Sequence, residues 1–308
     1  ILEIFQKYDV RYFFYNGGND SMDTCNKISK YMNRIGYDCR VIGVPKTIDN
    51  DLAGTDHCPG FASAAKYIAT SIMEISRDSQ VYDTGMVTII ECMGRHAGWL
   101  TAAAALANIK NDGPDLIYLP EVDFDMDKFI ADIKRVYDEK KNCIVAVSEG
   151  VHYADGTFVS EAKTSGTDGF GHAQLGGLAA RLADVVKAAT GAKVRPIELS
   201  LLQRCAAHCA SGTDIAESFL SGKTAVEAAV AGQTDKMVGF KCTRGKDGYH
   251  CETELFDLSL VANTEKKVPL EWINEAGNGV TQDFIDYCLP LIQGETNMVK
   301  EDGLPRFV

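Results

Sequence analysis

The chain has 308 residues, of which 45% are hydrophobic and 24% charged, and its formal net charge is -12. This length is enough for two lobes with separate cores, and the acidic surplus argues against a nucleic-acid partner, since phosphate backbones are bound by basic surfaces. No apolar run reaches the roughly 18 residues of a membrane span, and no signal peptide is visible, so we expect no membrane partner.

The ten cysteines contain no C-x-x-C pair. This argues against thioredoxin chemistry and against the common zinc sites. A chain of this size with unpaired thiols is typical of the cytoplasm, and we expect that location.

The first predicted elements are a strand over residues 10–15 and an amphipathic helix after it. Asp20 or Ser21 can cap the start of this helix, and Gly36 is placed to end it. Residues 39–44 predict the next strand, which leads into a polar loop.

Strands and helices continue to alternate through the middle of the chain. A helix with apolar residues at helical spacing begins near residue 61, and a glycine-rich stretch occupies 150–177. The other predicted elements are strands over 86–92, 116–119 and 143–148 and helices over 98–107, 127–140 and 179–190. This alternation predicts an α/β fold with mostly parallel sheets covered by helices, in which ligands bind beyond the carboxyl ends of the strands.

The first polar cluster is the run Gly17, Gly18, Asn19, Asp20 and Ser21, between a predicted strand and a predicted helix. Two glycines let the backbone approach a ligand, and a helix N-terminus favours anions. Alone, the cluster is weak evidence, because turns of this kind are common between a strand and a helix, and an ordinary turn is the favoured interpretation.

The second cluster is the loop over residues 45–51, with the sequence PKTIDND. One cation, Lys46, and two carboxylates, Asp49 and Asp51, suit phosphoryl transfer, which needs charge neutralisation, a metal ion and a proton acceptor. A solvated turn rich in Asp and Asn is the alternative.

Four motifs follow one another along the chain: GGNDS at 17–21, PKTIDND at 45–51, MGRHAG at 93–98 and SEG at 148–150. In order and spacing the chain resembles the 6-phosphofructokinase family over most of its 308 residues. PKTIDND is the most specific of the four. The resemblance implies two Rossmann-like lobes and a homo-oligomer, either a dimer or a tetramer.

The resemblance also implies how the lobes divide the chain. The donor-binding lobe would comprise residues 1–60 and about 205–265, and the fructose 6-phosphate-binding lobe about 61–204 and 266–308. Family members carry further glycine-rich donor loops ahead of the first strand, so we expect part of the donor lobe to be missing from this sequence.

The resemblance assigns roles residue by residue. Asp49 matches the base that takes the proton of the sugar C1 hydroxyl, and Thr47 and Asp51 flank it and help to hold the substrate. The other residues that match the sugar-phosphate site are Met93, Gly94, Arg95, Glu149, Arg195 and Arg204.

The donor is predicted from two positions. Members that use ATP usually have glycine where this chain has Asp20 and Lys46, and the larger charged side chains here match pyrophosphate-dependent members. Gly17 and Gly18 match donor-binding residues. Asn19 stands where most members have an aspartate for magnesium, so the metal ligands for Mg²⁺ are expected among Asn19 and Asp20.

The function so predicted is transfer of a phosphoryl group from pyrophosphate to fructose 6-phosphate, a reversible glycolytic step. The alternatives are an ATP-dependent 6-phosphofructokinase and a non-catalytic subunit of the same fold. A distant lipid or NAD kinase would leave PKTIDND unexplained.

Overall fold

The protein is represented by a computed structural model, which describes residues 1–81, 83–160, 177–262 and 264–307. The chain forms two compact units. Unit 1 comprises Ile1–Ala62 and Ser211–Lys266, and unit 2 comprises Ser63–Ala210 and Lys267–Val308.

Unit 1 contains one four-stranded sheet and the helices that pack on it. Its elements are α1 (Leu2–Lys7), β1 (Tyr12–Gly17), α2 (Asn19–Ile35), β2 (Arg40–Pro45), α7 (Gly212–Val230), β7 (Lys236–Gly245), β8 (Gly248–Asp257) and α8 (Leu258–Val261). The strand order is β1-β2-β7-β8, with β1, β2 and β7 parallel and β8 antiparallel to β7.

Alternating residues of this sheet are buried on opposite faces. Val41 and Met237 join a cluster with residues of α2 and α8, whereas Ile42 and Val238 pack with Ala225 of α7. Because side chains alternate along a strand, one sheet forms two apolar layers, and helices cover both.

Unit 2 is built on a second four-stranded sheet, in which all strands are parallel in the order β4-β5-β3-β6. Its elements are α3 (Phe61–Ser79, which starts in unit 1), β3 (Met86–Cys92), α4 (Trp99–Ala103), β4 (Leu116–Tyr118), α5 (Met126–Lys140), β5 (Asn142–Ser148), α6 (Leu178–Thr190), β6 (Val194–Glu198), α9 (Gln282–Cys288), β9 (Lys300–Glu301) and β10 (Leu304–Pro305). Five short 3₁₀ segments also lie in the described part of unit 2, at Ala104–Lys110, Ser200–Arg204, Ala207–Cys209, Leu270–Trp272 and Leu289–Ile292.

The central strands of unit 2, β3 and β5, are almost entirely buried because both faces of the sheet are covered. Val87 and Val145 pack with Phe129 of α5 and Leu182 of α6. The α/β fold with mostly parallel sheets is therefore confirmed. Among the described residues, no helix is both long and apolar enough to cross a membrane.

Two local expectations were wrong. Neither Asp20 nor Ser21 caps α2: the cap position is Gly18, and the helix begins at Asn19 without a side-chain cap. β1 extends into the glycine-rich turn and ends at Gly17, so α2 begins earlier than the sequence predicted. Gly36 does end α2, in the left-handed conformation at φ 69°.

The second correction concerns the predicted helix over 98–107. Only Trp99–Ala103 is α-helical, and the chain then tightens into the 3₁₀ segment Ala104–Lys110. The glycine-rich stretch over 150–177 falls largely outside the described residues, since 161–176 are not part of them.

Candidate functional site

The turn from β1 into α2 leaves no space for a side chain at its first glycine. A Cβ on Gly17 would lie 2.0 Å from Ser21 Oγ. Glycine here therefore permits the direct passage from strand to helix, which brings the N-terminus of α2 to the carboxyl end of the sheet.

The loop after β2 lies directly beside this turn. Gly17 and Pro45 are register partners, and Lys46 N donates to Gly17 O at 3.0 Å. A Cβ on Gly18 would be in ordinary contact with Thr47 Cβ, at 3.6 Å. Parallel pairing of β1 and β2 thus brings together the first two polar clusters of the sequence.

The loop is held in shape by its own side chains. Asp49 N donates to Thr47 Oγ1 at 3.1 Å, and Thr47 N donates to Pro59 O at 3.2 Å. Asn50 adopts φ 56°, a conformation that asparagine tolerates better than most residues, and its Oδ1 accepts from Cys58 N at 2.9 Å. These bonds fix the backbone on both sides of Asp49.

Asn19 and Asp51 meet across the two clusters. Asn19 Nδ2 donates to Asp51 Oδ2 at 2.7 Å. The remaining side-chain oxygens, Asn19 Oδ1 and Asp51 Oδ1, are both buried and have no hydrogen-bond partner. Buried polar atoms normally have partners. Two such oxygens on neighbouring residues fit a hard cation, because oxygen is the ligand that Mg²⁺ takes.

The surroundings of Asp51 also disfavour its charged form. Burial first, and the nearby charge of Asp49 second, raise the pKa of Asp51 to about 6. A cation beside the carboxylate would relieve both effects. Asp20, the other predicted metal ligand, lies in the first turn of α2 and is exposed. Lys46, at the start of the loop after β2, is exposed as well.

In unit 2, the segment after β3 meets the segment after β5. Gly94 N donates to Glu149 Oε1 at 3.2 Å, and Ser148 Oγ donates to Gly94 O at 2.5 Å. A Cβ on Gly150 would lie 1.9 Å from Arg95 O. The MGR and SEG motifs therefore form one compact surface at the carboxyl edge of this sheet.

Arg95 and Gln203 complete that surface. Met93 N donates to Gln203 Oε1 at 3.1 Å, which ties the 3₁₀ segment Ser200–Arg204 to the motif. Arg95 Nε is buried and has no hydrogen-bond partner. A buried guanidinium N–H without a partner is a donor available to an anionic or hydroxylated ligand.

The two remaining predicted arginines lie elsewhere in unit 2. Arg195 is exposed in β6 and pairs with Thr88, four residues before the end of β3. At about 3.3 Å per residue, that position is roughly 13 Å from the carboxyl edge of the sheet. It lines a cavity of about 410 Å³ with Glu74 and Met86. Arg204 is exposed at the end of its 3₁₀ segment.

Sequence reasoning missed three supporting residues. They are Asn50, which holds the loop of Asp49; Gln203, which holds Met93; and Lys266, whose backbone N donates to Asp51 O at 2.7 Å. The asparagine could have been found from its place in a tight polar turn. Gln203 and Lys266 act over long sequence separations, and no local pattern indicates them.

The family model described as phosphofructokinase matches residues 1–229. The chain belongs to the phosphofructokinase family. The prediction from the four motifs is confirmed.

Among individual relatives, the chain is similar to a pyrophosphate–fructose 6-phosphate 1-phosphotransferase of Halomonas elongata, with 45% identity over 99% of this chain and 73% of the relative. A protein of the same name from Methylococcus capsulatus is 43% identical over 100% of this chain and 73% of its own length. A crystal structure of a pyrophosphate-dependent phosphofructokinase from Nitrosospira multiformis superposes with a TM-score of 0.90, at 41% identity, covering 100% of this chain and 74% of that one.

Proposed function

We propose that this protein transfers a phosphoryl group from pyrophosphate to the C1 hydroxyl of fructose 6-phosphate, giving fructose 1,6-bisphosphate and orthophosphate. The observation that carries the proposal is the loop after β2, in which hydrogen bonds through Thr47 and Asn50 hold Asp49 beside the orphaned oxygens of Asn19 and Asp51. The named relatives support the same reaction.

Asp49 is the proposed catalytic base. A carboxylate can accept the proton that the C1 hydroxyl loses as it attacks, provided the carboxylate is ionised and its position is fixed. The bond from Asp49 N to Thr47 Oγ1 supplies that fixation. Thr47 and Asp51 are proposed to hold substrate on either side of the base.

Mg²⁺ is the proposed cofactor. Asn19 Oδ1 and Asp51 Oδ1 would hold it, because both are buried oxygens without a hydrogen-bond partner and they lie on two side chains in direct contact. Asp20 remains a further candidate ligand from the sequence. When bound, the cation neutralises charge on the phosphoryl groups. The hydrogen bond between Asn19 and Asp51 holds these two side chains together.

The sugar phosphate is proposed to bind the surface formed by Met93, Gly94, Arg95 and Glu149. Arg95 offers its unpartnered Nε–H, and Glu149 offers an acceptor for sugar hydroxyls. Arg195 and Arg204 are proposed to bind the 6-phosphate. Arg195 lies far along β6 from the other residues, so we infer that it serves the sugar site of another copy in a dimer or tetramer.

The donor preference rests on Asp20 and Lys46, together with the close approach that Gly17 and Gly18 allow. A carboxylate at position 20 repels the additional phosphate of a nucleotide, and the ammonium of Lys46 can stabilise charge on the transferring or departing phosphate. Unit 1 is accordingly the proposed donor-binding lobe and unit 2 the proposed sugar-binding lobe.

The reversible glycolytic reaction is proposed to occur in the cytoplasm. All ten cysteines are free thiols, which is the usual state in a reducing compartment.

The proposal is tested by following fructose 1,6-bisphosphate formation with pyrophosphate, fructose 6-phosphate and Mg²⁺. The matched control is Asp49→Asn, which keeps the shape of the side chain and removes the base. Turnover in the wild-type chain and its loss in the variant support the proposal. Equal product formation by both proteins would overturn the role of Asp49.

A further inference from the structure

Two cysteines face each other across the hairpin of unit 1. Cys242 of β7 and Cys251 of β8 are direct register partners, and both are free thiols of intermediate exposure. The two side chains hydrogen-bond to each other. They are nine residues apart, and neither belongs to a motif used in the proposed reaction.

The register gives this pair the backbone geometry of a disulfide. Gly245 and Gly248 flank a two-residue turn, and residues in this position exchange backbone hydrogen bonds. From there on, hydrogen-bonded and non-hydrogen-bonded residue pairs alternate along the two strands. Three steps on, Cys242 and Cys251 form a non-hydrogen-bonded pair, for which the Cα separation is about 4.5 Å. Disulfides span Cα distances from about 4.4 to 6.8 Å. A disulfide can therefore close here without a rearrangement of the strands.

The surroundings of Cys242 favour its thiolate. Its Sγ lies 3.8 Å from Nδ1 of the buried His57 and 3.4 Å from the hydroxyl of Tyr249. The pKa of Cys242 is lowered, and the largest cause is the hydrogen bond with Cys251. Burial opposes this shift, and the bonds with His57 and Tyr249 add to it. A thiolate is the reactive form of cysteine.

His57 is held in its charged form by two carboxylates. Its Nδ1 bonds to Asp56 at 2.9 Å and its Nε2 to Glu217 at 2.6 Å. Burial opposes the charge, but the bonds with Asp56, Cys242 and Glu217 outweigh it and raise the pKa of His57 to about 10. An imidazolium fixed beside a sulfur is the arrangement that activates thiols for nucleophilic attack.

We propose that Cys242 and Cys251 form a reversible oxidation site, in which Cys242 is the thiol attacked by peroxide and Cys251 is the resolving thiol. The Cys242 thiolate attacks one peroxide oxygen, the O–O bond breaks, and Cys242 becomes a sulfenic acid. The hydroxide that leaves takes up the proton that the Cys242 thiol released on ionisation, and the first water forms. Cys251 then attacks that sulfur, its own proton goes to the departing hydroxide, and a second water forms with the disulfide. Two thiols and one hydrogen peroxide give one disulfide and two waters.

A metal is the competing occupant of this site. One ligand atom each from Asp56, His57 and Cys242 lies within 4.8 Å of the others. However, Arg244 binds both carboxylate oxygens of Asp56 at 2.8 Å, and both ring nitrogens of His57 already face carboxylates. A divalent cation would have to displace these bonds and accept a guanidinium beside it, whereas a disulfide leaves them in place.

The test is peptide mapping after treatment of the purified chain with hydrogen peroxide. Trypsin cuts at Arg244 and Lys246, between the two cysteines, so their peptides stay joined only through a disulfide. We expect a joined pair that dithiothreitol separates. In Cys251→Ser the disulfide cannot form, and we expect dimedone to label a sulfenic acid at Cys242.

The matched control is Cys205, which is exposed and should react first if exposure alone decides. At about pH 7 we expect alkylation of Cys242 to be at least about tenfold faster than that of Cys205. We expect Tyr249→Phe to slow the alkylation of Cys242. His57→Gln is a second variant for the same measurement, provided that this protein folds. Alkylation of Cys242 no faster than that of Cys205, with no joined peptides, would overturn the proposal. Zinc retained by the purified wild-type chain but not by Cys242→Ser, with oxidation blocked until the zinc is chelated, would also overturn it.

Discussion

The side-chain amide of Asn19 donates to Asp51 across two loops, at 2.7 Å, and leaves one buried oxygen on each residue without a partner. The two residues are separated by 32 positions in the chain and are brought together by the parallel pairing of β1 and β2. This contact is the basis of the proposed metal site.

We predict that Asn19→Asp makes stability depend on Mg²⁺. The new carboxylate would replace a hydrogen bond to Asp51 with repulsion between like charges, which a cation bound to both would remove. With chelator present, the melting temperature should fall by at least about 2 °C, and Mg²⁺ should restore it. Asn33→Asp, at an exposed position of the same helix, is the control and should respond equally with and without Mg²⁺. A melting temperature of Asn19→Asp that Mg²⁺ does not change would contradict the site.

Asp49→Ala should lose most turnover and keep its affinity for fructose 6-phosphate. A general base contributes roughly 10²–10⁴-fold to rate, and its removal leaves the sugar-phosphate contacts intact. Steady-state kinetics gives the loss in kcat, and calorimetry gives the affinity. Turnover within a few-fold of wild type would remove Asp49 from the mechanism.

Arg95→Ala should raise KM for fructose 6-phosphate about 10–100-fold, since a charged hydrogen bond contributes about 1.5–3 kcal/mol. Arg95→Lys should recover part of the loss, because it keeps the charge without the Nε–H. Arg135→Ala serves as the control, as Arg135 is largely exposed and its ion pair with Asp132 spans 3.9 Å. An unchanged KM in Arg95→Ala would show that the buried Nε does not serve the substrate.

The double variant Asp20→Gly with Lys46→Gly should relax the donor preference. It removes the carboxylate that repels a nucleotide phosphate and the ammonium that stabilises the departing phosphate. The ratio of ATP-supported to pyrophosphate-supported turnover should rise by at least about tenfold. A double variant that still fails to bind ATP would count against the assigned positions.

Glu91→Gln should stabilise the protein at high pH. The pKa of Glu91 is raised from 4.5 to about 7, and burial is the largest cause. The hydrogen bond from Ala179 N lowers the pKa, whereas the charges of Glu198 and Glu149 raise it further. Because the folded-state pKa is raised, the contribution of Glu91 to stability is complete below pH 4.5 and is lost as the pH rises through about 7. Glutamine cannot ionise, so the gain should be about 1–3 kcal/mol near pH 8 and negligible near pH 4.

Denaturant unfolding at the two pH values measures this difference, with the exposed Glu139→Gln as control. The same change in the free energy of unfolding at both pH values would contradict the raised pKa of Glu91.

Continuous apolar runs and helical periodicity predicted much of the fold. The strand Met86–Cys92 was predicted without error, because a strand covered on both faces forms a near-continuous apolar run. The hairpin β7–β8 was not predicted, although the turn between Gly245 and Gly248 carries a recognisable signal. The cap of α2 was misplaced because β1 takes up Gly17, which depends on pairing with β2.

The site was predictable only where residues cluster along the chain. Lys46, Thr47 and Asp49 lie within one loop, and their motif pointed to the chemistry. The contact of Asn19 with Asp51 and the support of Met93 by Gln203 depend on tertiary structure. Sequence spacing carries no information about either contact.

The central claim is tested most directly by one donor comparison. The measurement is kcat/KM for fructose 6-phosphate in the presence of Mg²⁺, taken once with pyrophosphate and once with ATP on the same protein. We predict substantial turnover with pyrophosphate and, with ATP, a value lower by at least about 100-fold. Turnover that ATP supports as well as or better than pyrophosphate would contradict the account.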